Sequence, residues 1–128
     1  MAEGFAKDML KDQKHFINSA GVSPGVLNNL AVQVVSEVGV DISSHYSKNV
    51  NNLDLNKFDI VVTVCDNAQT KCPIVTHKKV MHYNFHDPAA STGTISQQLN
   101  VYRKVRDEIK KMIKSLLINY NMLCQELN

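Results

Sequence analysis

Apolar positions recur along this chain at two different periods. Leu27, Leu30, Ala31, Val34, Val35 and Val38 step by three and four, and Gly39 follows where a helix ends on a left-handed glycine, which predicts an amphipathic helix over 27–38. Tyr102, Val105, Ile109, Met112, Ile113, Leu116 and Tyr120 repeat that spacing in a longer C-terminal helix. The run Phe58-Asp59-Ile60-Val61-Val62-Thr63-Val64 differs, because its β-branched residues barely alternate with polar ones; it predicts a strand buried on both faces, as parallel strands are. Lys79 to Phe85 predicts a further strand, and His15 to Ser19 a short one that stops at the small residues Ser19-Ala20-Gly21. Met1 to Gln13 carries Phe5 and Met9 at helical spacing, with no Ser, Thr, Asp or Asn ahead of it to cap the helix.

Strand, helix, strand, loop, strand, helix is the order of an α/β three-layer sandwich with a small parallel sheet, in which ligands bind beyond the carboxyl ends of the strands. Ser19, Cys65 and Asp87 lie at or just past such ends and are expected to face one crevice. A length of 128 residues fits one domain, 1–128. Fourteen Lys and Arg against twelve Asp and Glu leave a net charge of +2, scattered along the chain, so no nucleic-acid partner is implied. No apolar run approaches the roughly 18 residues of a membrane span, and the start carries no apolar signal segment, which predicts a soluble, cytoplasmic protein with no membrane partner. Three cysteines make an odd count, which points to thiols held reduced until used rather than to a secreted disulfide framework.

The candidate chemistry sits after the Val-rich strand. Cys65 and Cys72 flank Asp66-Asn67-Ala68-Gln69-Thr70-Lys71, a polar loop without an apolar anchor and therefore of low local stability. As residues alone they read either as a redox pair presented at a strand end or as a buried thiol with an incidental neighbour; a zinc site with His77 and His82 matches no compact spacing. Asp87 before Pro88 reads as a turn cap or as an acid in the crevice. Cys124 reads as a lone helical thiol, and His45, His82 and His86 as polar residues rather than ligands.

Several segments, Met1-Ala2-Glu3-Gly4-Phe5-Ala6-Lys7, Ser19-Ala20-Gly21-Val22, Asp59-Ile60-Val61-Val62-Thr63-Val64-Cys65, Cys72-Pro73 and Phe85-His86-Asp87-Pro88-Ala89, together resemble the thioredoxin-coupled arsenate reductases, which share the low molecular weight tyrosine phosphatase fold. The resemblance runs in unbroken order to about Leu117. It implies arsenate as substrate and thioredoxin as external reductant, with no bound cofactor. A nucleophilic cysteine in a Cys, five residues, Arg loop would attack arsenate, Cys65 would attack the resulting adduct, and Cys72 would resolve the first disulfide to leave a Cys65 to Cys72 bond. Asp87 corresponds to the general acid. Glu3 and Ser19 correspond to residues that hold potassium in some members, but Lys48 stands where those members carry an acidic ligand, so an ammonium is expected in place of the ion.

One departure weighs on all of this. Six positions after Cys65 stands Lys71, and after Cys72 Lys78; Cys124 has no residue there, and the only arginines are Arg103 and Arg106. By resemblance the nucleophile loop and the first, central strand precede the Met-Ala-Glu-Gly segment, which predicts an N-terminally truncated chain that is marginally stable and inactive as it stands. Two other functions stay open: a noncatalytic protein that binds thioredoxin or another partner, and a relative of the low molecular weight tyrosine phosphatases.

Overall fold

The computed structural model describes residues 1–21, 27–46, 48–65 and 79–122. Helix α1 spans Ala2–Met9, α2 Asn29–Ser36 and α3 Ile95–Asn119; strands β1, Val61–Cys65, and β2, Val80–Asn84, pair in parallel, with Val61 opposite Val80 and Cys65 opposite Asn84. Short 3-10 turns cover Val50–Asn52, Leu55–Lys57 and Pro88–Ala90. This is an α/β arrangement with a small parallel sheet, as the order of apolar periods predicts.

Each of the three described helices has one apolar stripe to bury, and α2 and α3 also carry a side-chain cap at their start. In α3 the Thr94 hydroxyl accepts from Gln97 N while the Gln97 side chain accepts from Thr94 N, a reciprocal cap that fixes the start of 25 residues. In α2 Asn28 Oδ1 accepts from Leu30 N and Ala31 N. The turn that follows that helix closes at Gly39, whose φ of 84° is cheap only for glycine. α1 starts without a side-chain cap, as its sequence implies.

Phe5, Val34, Val35 and Ile42 are the most deeply buried side chains, and α3 adds Tyr102, Val105, Ile109, Met112, Ile113, Leu116 and Leu117. Each such large side chain contributes about 1.5 to 3 kcal/mol by leaving water, so the face of α3 against α1 and α2 dominates the core. Gly4 permits the closest approach: a Cβ there would overlap Cγ2 of Ile42. Polar groups tie the same helices together. Arg106 Nη1 donates to the Val34 carbonyl and to Glu37 Oε1, both at 2.9 Å, and Arg103 grips both oxygens of Glu37 at 2.9 and 2.8 Å.

Two expectations are corrected. The Val-rich strand is not buried on both faces: Thr63 is buried, Val61 and Val62 are half-buried, and Val64 is 46% exposed. Among the described residues β1 has a single neighbour, β2, so part of its surface stays open. His15 to Ser19 forms no strand. Only Gly21 bridges to Asn49, through Gly21 N to Lys48 O at 2.8 Å and Val50 N to Gly21 O at 2.9 Å. Phe16 turns outward and stacks on Phe58, its ring centroid 5.5 Å away, which leaves Ile17 to pack against the core. No helix among the described residues is long and apolar enough to cross a membrane.

Candidate active site

An open cleft of about 440 Å³ lies beyond the carboxyl ends of the two strands, walled by α1, the start of α2, the turn after β2 and α3. Val64, near the end of β1, and Phe85 and His86, just past β2, line it, which is where parallel-sheet topology places a ligand. Glu3, Ser19, Asn28, His45, Asp87 and Tyr102 are among its polar lining.

Asp87 reaches the cleft because β2 ends at Asn84 and the chain then turns through Pro88–Ala90. Its Oδ1 accepts from Ala89 N at 3.0 Å, so the residue caps its turn, and it also lines the cleft. Ser19 lines the same cleft, as expected. β1 ends on Cys65, directly after cleft-lining Val64, whereas the Cys65 side chain, the loop 66–71, Cys72, His77 and Cys124 lie outside the described residues.

Glu3 anchors the neighbouring charge cluster. Its carboxylate is buried, with Oε1 accepting from Ser19 Oγ at 2.8 Å and standing 3.6 Å from Lys48 Nζ, and Oε2 standing 3.1 Å from Lys7 Nζ and 3.3 Å from His45 Nδ1. Burial pushes its pKa up, but the Ser19 and Lys7 hydrogen bonds and the charges of Lys48 and Lys7 outweigh that and hold it below the ordinary 4.5. Potassium does not fit here. Both oxygens already face protein donors, and a further cation would sit beside the Lys48 and Lys7 ammonium groups. No cluster of three or more His, Cys, Asp or Glu that could hold a metal occurs among the described residues.

Sequence reasoning missed four participants. Lys7 and His45 complete the Glu3 cluster, and Asn28 and Tyr102 both line the cleft. A signal existed for the last: Tyr102 is the one hydroxyl-bearing residue in the otherwise aliphatic middle of the α3 stripe, and a buried phenol requires a partner. Both arginines of the chain serve the Glu37 clamp, and neither lines the cleft.

Comparison with known proteins gives this geometry a family. The model for the low molecular weight phosphotyrosine protein phosphatases matches residues 1–128. An arsenate reductase of Shouchella clausii is 44% identical over 115 residues, 89% of this chain and 82% of that protein, and one of Bacillus subtilis is 42% identical over the same length and shares. Among solved structures, an arsenate reductase in the phosphate-binding state superposes with a TM-score of 0.77 at 28% identity, covering 92% of this chain and 86% of that one; an arsenate reductase in the oxidised state gives 0.76 at the same identity and coverage. The chain, with its small parallel sheet and cleft beyond the strand ends, belongs to the low molecular weight phosphotyrosine protein phosphatase family and is a homologue of its arsenate reductases.

Proposed function

We propose that this chain carries the later steps of arsenate reduction, with thioredoxin as the external reductant. The observation that supports the reading most directly is the placement of Asp87 in a cleft beyond the ends of β1 and β2, with β1 ending on Cys65, in a chain 44% identical to an arsenate reductase.

The chemistry balances as two thiols oxidised for one arsenic reduced. A thiolate displaces an oxygen of arsenate, and Asp87 donates the proton that lets it leave as water. Cys65 thiolate then attacks the sulfur of the adduct; the sulfur–sulfur bond forms as the sulfur–arsenic bond breaks, and arsenic keeps the electron pair and departs as arsenite. Cys72 attacks that disulfide, releases the first thiol, and leaves a Cys65 to Cys72 bond for the thioredoxin dithiol to reduce. Such reducible thiols suit a cytoplasmic compartment. Lys48 serves as the resident cation of Glu3, so no potassium takes part.

The first nucleophile is not among these residues. No cysteine here is followed six positions on by an arginine, and both arginines are held by Glu37. The 128-residue chain alone is therefore expected to give no arsenite in the presence of thioredoxin, thioredoxin reductase and NADPH, while its oxidised form carries a Cys65 to Cys72 disulfide that thioredoxin reduces. Mass spectrometry of the oxidised protein and of Cys72→Ser checks this: those two sulfurs found unlinked, or an internal bond surviving in Cys72→Ser, would overturn the relay. A second reading is a noncatalytic partner of thioredoxin; retention of both Cys65 and Cys72 favours either reading over a tyrosine phosphatase, which needs no such pair.

A further inference from the structure

β1 pairs with β2 along one edge only, and the register tells which backbone groups that leaves over. Val61 N donates to Lys79 O at 2.9 Å and Val61 stands opposite Val80, so Val61, Thr63 and Cys65 turn their N–H and C=O groups toward β2. Val62 and Val64 turn theirs the other way. Among the described residues no hydrogen bond reaches the N–H or C=O of either. Four strong backbone groups therefore stand unpaired along a strand whose Val62 packs against the core and whose Val64 is 46% exposed. Proteins protect such an edge with a charge, a proline or a bulge. Val61-Val62-Thr63-Val64-Cys65 has no charged residue and no proline, and it keeps an unbroken register with β2.

We infer that the free edge of β1 docks a second copy of this chain, the two β1 strands running antiparallel about a two-fold axis at Thr63. The spacing of the unpaired groups selects this occupant. With Thr63 opposite Thr63 of the partner subunit, Val62 faces Val64 of the partner subunit, and Val64 faces Val62 of the partner subunit. Each of these pairs exchanges two N–H to C=O bonds, so four bonds satisfy all eight groups and leave none over. The side chains agree with the backbone. Val62 and Val64 project from one face of β1, so the dimer gains two Val–Val cross-strand pairs and covers the exposed Val64. An edge without charge meets its own copy without repulsion, and the net charge of the whole chain is only +2. The product is a continuous four-stranded sheet in the order β2-β1-β1-β2. Five residues a side make a small interface, so the dimer is weak, reversible and set by protein concentration.

Sedimentation velocity of the intact chain tests this, from low micromolar to millimolar protein and under reducing conditions, so that no disulfide between copies contributes. A monomer–dimer equilibrium is expected. Val64→Lys sets an ammonium into each cross-strand pair and should weaken association by about tenfold or more. Amide hydrogen exchange is the second measurement and needs no variant. The Val62 and Val64 amides should exchange fast in dilute protein and slow down together as the dimer fills. The Met81 and Tyr83 amides, bonded to β1 within the existing ladder, should stay protected at every concentration. A chain that remains monomeric throughout, a dimer undiminished in Val64→Lys, or a dimer whose Val62 and Val64 amides exchange as fast as in the monomer would overturn the inference. Slow exchange of those two amides in a strictly monomeric chain would assign the edge to a segment of the same chain and overturn it as well.

Discussion

Replacing Lys48 by Met removes an ammonium 3.6 Å from the buried Glu3 carboxylate and keeps most of the apolar stem. At an effective dielectric of about 20, two unit charges at that distance attract by about 4.6 kcal/mol. Most of this is offset, because Lys48 is 17% exposed and recovers hydration when unfolded, and because Lys7, His45 and Ser19 stay on Glu3. A net loss of about 1 to 2 kcal/mol remains, or roughly 3 to 10 °C in melting temperature for a chain of this size. The pH dependence has a definite sign. Glu3 has a folded pKa below its ordinary 4.5, so its contribution is complete above about pH 4.5 and is lost as pH falls through the lower folded value. Lys7, Lys48, His45 and the Met1 amine face this carboxylate; in Lys48→Met its pKa is less depressed, and the gap between the two proteins should narrow as pH drops below 4.5. Urea unfolding at pH 7 and across the acid limb measures both quantities. If Lys48 is the resident cation, the parent chain also melts at one temperature in KCl and NaCl of equal ionic strength. Equal stability of parent and Lys48→Met at pH 7, or a potassium-specific rise in the parent's melting temperature, would refute the reasoning.

Gly4→Ala places a methyl against Ile42 Cγ2 and should cost about 1 to 3 kcal/mol, read by thermal melting; an unchanged transition would show that α1 can shift off Ile42 without penalty. Thr94→Ala removes one arm of the α3 capping box and should cost about 1 kcal/mol, with Gln97 amide protection lost first in hydrogen exchange.

Helices and strands were legible in the sequence wherever periodicity was long. The stripes of α2 and α3 repeat over several turns, so their existence follows from spacing, and the observed α2, Asn29–Ser36, falls inside the predicted 27–38. Burial of β1 was misread because Val-rich composition reports what a strand can tolerate, not how many neighbours it has; Val64 stays 46% exposed. His15 to Ser19 has too few apolar residues to fix a period, and the outward turn of Phe16 onto Phe58 depends on a partner far along the chain. In the site, Asp87 was legible from its place just past β2, whereas Ser19 lines the cleft although the strand expected before it does not form. Lys7 and His45 were not, because a cation around a buried carboxylate is chosen by proximity in space. Asn28 was not singled out, because it is its two backbone bonds at the start of α2 that place it beside the cleft.

α3 runs without interruption from Ile95 to Asn119, with Tyr102 at the cleft and, about 27 Å further along the axis, Tyr120 donating to the Met81 sulfur on β2 at 3.6 Å. A rod fixed at both ends acts as a ruler. One residue inserted near Asp107 would rotate everything beyond it by about 100°, so the phenol could keep its place only if Met112, Ile113 and Leu116 left theirs. Changes of chain length in this protein therefore belong in its turns, and the spacing from Tyr102 to Tyr120 is a dimension that any redesign has to preserve.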